Sequence, residues 1–188
     1  SYVERLVALD PGDASTRMEL ADLFVRHEQF ERALEQYDAL IASAGTDTRQ
    51  RALALVDAGN VLALMGRGEA AVERYRRARG MVDPGNWLAR DIDQRVVSVY
   101  RQQGRLADLV AEIEAQSRTP SLWQVLQLAA LLEELGREGD AIDAYRRALR
   151  AGAPQDARLA LIGVLERRGD VDAVLRENPE VGAYNQTI

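Results

Sequence analysis

The sequence predicts an all-α, right-handed α-solenoid of about ten helices, built from helix-turn-helix repeats. Three observations predict it. The passage GRGEAAVERYRRARGMVDP at 66–84 returns as GREGDAIDAYRRALRAGAP at 136–154, with Gly66/Gly136, Arg67/Arg137, Ala71/Ala141, Tyr75/Tyr145, Arg76/Arg146, Arg77/Arg147, Ala78/Ala148 and Pro84/Pro154 in step. Apolar residues recur at offsets of three and four, the spacing that lays one buried stripe along a helix. Glycines interrupt those stripes where the chain must leave one helix and enter the next.

A period of about 34 residues sets the organisation. Units fall near 14–47, 52–85, 90–123, 122–155 and 155–177, preceded by a half repeat at 1–13 and followed by a tail at 178–188. The first helices carry the stripes Leu20, Ala21, Phe24; Ala58, Gly59, Leu62; Val96, Val97, Tyr100; Leu128, Ala129, Leu132; and Leu161, Ile162, Leu165. Turns follow at His27 to Gln29 and at Gly66, Gly104, Gly136 and Gly169. Each second helix then places a small residue before an aromatic: Ala33 and Tyr37, Ala71 and Tyr75, Ala141 and Tyr145. The alanine lets two backbones approach and the ring fills the wedge between units. Pro84 and Pro154 are expected to end their helices, since proline lacks the amide hydrogen and crowds the preceding turn.

Some units depart from the pattern. The third has Leu109 and Ile113 at the alanine and aromatic positions, and the fifth has Val174 and Asn178 followed by Pro179, which predicts a short last helix. Tyr2 and Pro11 repeat the spacing of the later units, so residues 1–13 read as the second half of a unit and the chain as a fragment of a longer polypeptide. For the tail, docking is expected through Val181, Tyr184 or Ile188.

Composition removes several function classes. There is no cysteine, hence no disulfide framework, thiolate zinc site or Cys nucleophile. All 24 basic residues are Arg, as in a GC-rich bacterial genome, and without lysine a P-loop cannot be completed. The net charge of -6 argues against a nucleic-acid or anionic-membrane binder. No apolar run approaches the roughly 18 residues of a membrane span, and no signal-peptide pattern opens the chain, which predicts a cytoplasmic protein. His27, the single histidine, sits at a turn and reads as solvated. The acidic pairs Glu133/Glu134 and Asp91/Asp93 and the basic group Arg74, Arg76, Arg77, Arg79 read as water-facing surface, the arginines pairing with Glu69 and Glu73 along their own helix. Asn185-Gln186-Thr187 reads as an accidental match to a glycosylation acceptor. No enzyme activity, cofactor or metal is expected.

The arrangement resembles the tetratricopeptide-repeat family. It does so through Ala21, Phe24, Ala33 and Tyr37; through Gly59, Ala71, Tyr75 and Ala78; and most fully through Ala129, Gly136, Ala141, Tyr145, Ala148 and Leu149. The resemblance covers nearly the whole chain. It implies a concave surface lined by first helices, which holds a protein or peptide partner. Carried onto this chain, the lining positions are Met18, Asp22, Val25 and Arg26; Val56, Asn60, Ala63 and Leu64; Gln94, Arg95, Ser98, Arg101 and Gln102; Trp123, Leu126, Gln127 and Ala130. Asn60 would bond a peptide backbone, Arg95 and Arg101 would take a carboxylate, and Trp123 would either anchor an apolar side chain or pack beneath the loop at Trp87 and Pro120. The family's two-carboxylate clamp is not expected, because Met18 and Asp22 stand where its first Lys and Asn belong. The expected function is a non-catalytic interaction module of a larger bacterial protein, with self-association through the solenoid ends as a further partner mode. The alternative is a regulatory or self-association segment of a multidomain enzyme, such as a kinase, protease or signalling ATPase.

Overall fold

The structure, a computed structural model, describes residues 13–43, 45–116 and 121–177. These residues form ten α-helices and no strand: α1 (Ala14–Arg26), α2 (Phe30–Ala42), α3 (Thr48–Leu64), α4 (Gly68–Arg79), α5 (Trp87–Gln102), α6 (Leu106–Gln116), α7 (Leu122–Glu134), α8 (Glu138–Arg150), α9 (Gln155–Arg167) and α10 (Val171–Glu177). The chain divides into two compact units, Ser1–Gly104 and Arg105–Ile188. In the first, each helix from α1 to α5 packs on its sequence neighbour, and α1 also reaches α3. In the second the same holds from α6 to α10. The half repeat expected before Asp13 and the docking expected of Val181, Tyr184 or Ile188 lie outside the described residues.

The first helices α1, α3, α5 and α7 follow open loops and carry side-chain caps: Asp13 accepts from the Ser15 and Thr16 amides, Asn86 accepts from Leu88 N–H, and Asp47–Gln50 and Ser121–Gln124 form capping boxes; α9 begins at Pro154 without one. The second helices α2, α4 and α8 have no side-chain cap. They emerge directly from the turn that ends their partner. In that turn Arg67 N–H donates to Leu62 C=O at 2.8 Å and Arg137 N–H to Leu132 C=O at 2.8 Å, across Gly66 (φ 75) and Gly136 (φ 71). The first turn is closed the same way, Gln29 N–H to Phe24 C=O at 2.8 Å, but over Glu28 with φ 56.

The expected stripes are largely buried, with Val96 and Ile162 only half-buried. Ala33, Ala71 and Ala141 are fully enclosed beside Tyr37, Tyr75 and Tyr145. The prolines act differently from expectation. α8 ends at Arg150 through a turn at Gly152 (φ 87), and Pro154 is instead the N-cap of α9. Likewise α4 ends at Arg79, capped by Gly80, and Pro84 lies in the loop beyond. The left-handed Gly152 in one case and the turn at Gly80 in the other end the helix before the proline is reached.

Candidate partner-binding face

The first helices α1, α3 and α5 of the first unit present polar side chains that are held from below. Tyr37 on α2 donates its hydroxyl to Asp22 Oδ1 at 3.0 Å, and Tyr75 on α4 donates to Asn60 Oδ1 at 2.8 Å. The second unit repeats the device one turn further along, where Tyr145 on α8 donates to Glu133 Oε2 at 3.0 Å. The rings are buried and only their tips reach the polar face, so each hydroxyl finds an acceptor there. Burial, with the acidic acceptors adding to it, pushes the Tyr37 and Tyr145 hydroxyls well above the usual phenol range.

Arg95 on α5 extends this network. Its Nη1 donates to Asn60 Oδ1 at 2.8 Å, and its Nε and Nη2 donate to the two carboxylate oxygens of Asp91 at 2.7 and 3.4 Å. Burial works against its charge, but Asp91, Tyr75 and Asp57 together outweigh it and hold the guanidinium more firmly protonated. Asn60 Nδ2 is directed to Asp57 Oδ1 at 3.4 Å. The Asp57 carboxyl is pushed up to about 6, first by burial and then by the nearby Asp22, against the opposing pull of Arg95 and Asn60.

The sequence-derived positions fare unequally. Met18, Asp22, Asn60, Arg95 and Ser98 are half-buried, while Arg26, Gln94 and Arg101 are exposed. Leu64 is 68% exposed. Val56 is not on the surface: it is 4% exposed, because α3 is enclosed by α2 and α4 and touched by α1, which narrows its open face. Among these positions Asn60 and Arg95 bond each other. In the second unit Trp123 and Gln127 are half-buried on α7. Asp57, Asp91 and the tyrosine hydroxyls were missed as members of the network, since the repeat pattern aligns small and apolar residues and gives no weight to the polar positions between them.

Three of the arginines on α4 reach across to neighbouring helices. Arg74 pairs with Asp38, Arg79 Nε with Asp93 Oδ1 at 3.1 Å, and Arg76 Nη2 donates to the Tyr100 hydroxyl at 3.1 Å. Glu133 accepts from Arg167 as well as from Tyr145. These acids and bases are cross-links between helices. Among the described residues no helix is long and apolar enough to cross a membrane, and no group of three His, Cys, Asp or Glu converges as a metal-ligand set.

No protein-family model and no curated protein matches the chain. Solved structures do. YrrB, described as a TPR protein with an unusual peptide-binding site, is 16% identical over 100% of this chain and 99% of its own, with a TM-score of 0.50. MamA residues 41-end from Desulfovibrio magneticus RS-1 is 15% identical over 93% of this chain and 96% of its own, with a TM-score of 0.52. PilF of Pseudomonas aeruginosa is 19% identical over 97% and 81%, with a TM-score of 0.50. Paired helices, glycine turns and alanine–tyrosine wedges thus come together in one architecture, and the chain has the tetratricopeptide-repeat fold.

Proposed function

We propose that the chain is a non-catalytic protein-interaction module of a larger bacterial polypeptide, which takes a peptide or partner segment along the first-helix face. The observation that carries this reading is the ordered polar network of Asp22, Asp57, Asn60, Asp91 and Arg95, fixed from beneath by Tyr37 and Tyr75. Side chains already held in one conformation lose little entropy when a partner binds. The solved structure of YrrB offers the same fold used for a peptide. The network also revises the role of its members. Asn60 Oδ1 is already shared by Tyr75 and Arg95, so Asn60 meets a peptide as a donor, and Arg95 acts as a positioning residue rather than as the seat of a carboxylate.

The two changes made on the face leave charge untouched. Ser98→Tyr adds bulk in the middle of the face, and Leu64→Asn removes its exposed apolar side chain. Partners captured from the source organism by the parent chain are expected to be lost by this double variant and kept by the outer-face variant Arg77→Glu. Retention by both, with unchanged circular dichroism, would move the interaction off this face.

A further inference from the structure

The first helices of the first unit can be superposed in sequence on their turn residues Glu28, Gly66 and Gly104. In that register Asp22, Asn60 and Ser98 share one position, and Glu19, Asp57 and Arg95 share another. At the joint between α3 and α5 the two positions are complementary: Asn60 accepts from Tyr75 below and from Arg95 across the joint, each at 2.8 Å. At the joint between α1 and α3 the lower half is the same, with Asp22 accepting from Tyr37 at 3.0 Å. The residue across the joint is Asp57, a carboxylate where the next joint has a guanidinium.

Asp22 and Asp57 thus hold, at the α1–α3 joint, the positions that Asn60 and Arg95 hold at the α3–α5 joint, and both are half-buried. The groups that act on Asp57 come from every neighbouring element: Asp22 from α1, Tyr37 from α2, Tyr75 from α4 and Arg95 from α5, besides Asn60 on its own helix. Burial first, and the Asp22 carboxylate second, push the Asp57 carboxyl up to about 6. The adjacent joint supplies a physical precedent for what relieves it. There a planar guanidinium binds one carboxylate through two nitrogens and one side-chain oxygen of the preceding repeat through a third.

We infer that the α1–α3 joint receives an arginine from a partner protein, its guanidinium bridging Asp22 and Asp57 as Arg95 bridges Asn60 and Asp91. The occupant is an arginine-bearing segment, identified by charge complementarity and by the geometry of the neighbouring joint. This rests on the reading of the first-helix face as the partner-binding face. A lysine fits less well, because a single ammonium cannot reproduce the fork that spans two acceptors.

The probe is a fluorescein-labelled Gly-Arg-Gly-Arg-Gly-Arg peptide titrated into the full chain at low salt and read by fluorescence anisotropy. Asp57→Asn is expected to weaken binding at least tenfold. Asp57→Arg is expected to abolish it while raising the melting temperature, since the new guanidinium then faces Asp22 as Arg95 faces Asn60. Asp83→Asn removes the same charge from an exposed loop and is expected to change affinity less than twofold. The lysine version of the peptide is expected to bind more weakly than the arginine version. Equal losses from Asp57→Asn and Asp83→Asn, or wild-type affinity in Asp57→Asn, would overturn the inference. If Ser98→Tyr with Leu64→Asn loses a natural partner that Asp57→Asn still holds, the arginine inference falls while the interaction reading stands. If neither variant loses it, both fall.

Discussion

The ring of Tyr75 lies directly on the backbone of Gly59: a methyl group placed on Gly59 would come within 2.5 Å of Tyr75 Cε1 and 2.8 Å of Cδ1. The sister positions are Ala21 and Ala129, both fully buried on their own first helices near Tyr37 and Tyr145. α3 and α4 therefore approach more closely than an alanine at this position would permit.

Gly59→Ala is accordingly expected to destabilise the protein although alanine favours helix. The helix-propensity gain of about 1 kcal/mol is opposed by an overpacking cost of about 1–3 kcal/mol. Urea midpoints check this, and the double change with Tyr75→Ala should recover part of the loss. A midpoint above wild type in Gly59→Ala alone would show that α4 moves aside without cost.

The first turn should be improvable. Glu28 holds φ 56 where the other turns have Gly66, Gly104, Gly136 and Gly169. A side chain in the left-handed region costs about 1–2 kcal/mol, part of which glycine returns as unfolded-chain entropy. Glu28→Gly is expected to stabilise by roughly 0.5–1 kcal/mol, seen as a melting temperature higher by a few degrees.

Asp57 should make stability depend on pH in an uncommon direction for an aspartate. Its folded carboxyl is raised to about 6 from an ordinary 3.8, so the folded state holds its proton more tightly than the unfolded state. The stabilising contribution is complete below about pH 4 and is lost as pH rises through about 6. Asp57→Asn stays neutral throughout. It is expected to melt higher than wild type at pH 7.5, with the gap closing by pH 4.5; a gap independent of pH would assign the effect to something other than this proton.

Ala141 is fully enclosed on α8, whereas Ala42 is exposed at the end of α2. Ala141→Leu is expected to cost roughly 1–3 kcal/mol, because added methylenes have no room between close helices. Ala42→Leu should fall within about 0.5 kcal/mol of wild type. Similar urea midpoints for the two would deny the aligned alanine its role as a close-contact residue.

The repeat was legible because its signals are local. A glycine with positive φ, an alanine at a close contact and an aromatic two turns from the helix start each report their own surroundings. The prolines misled because helix ends were already set by Gly80 and Gly152, so Pro84 and Pro154 act only after the helix has stopped. Val56 misled because exposure depends on how many neighbours flank a helix, and α3 has them on several sides. The polar network was least legible. Arg95 was placed on the face from its position, but its partners Asp91 and Asn60 lie one turn back and one repeat back, and only the folded joint brings them together.

Within each unit the packing runs from every helix to the next one along the chain, and the tyrosine–acceptor bonds close inside single helix pairs. The protein therefore has little long-distance closure to wait for. Contacts of short sequence separation favour rapid assembly, and a stack held by nearest-neighbour interfaces can begin at any pair and grow outward. Its failure is equally local: a weakened pair at one edge peels away as a fraying end, and the rungs behind it remain in register.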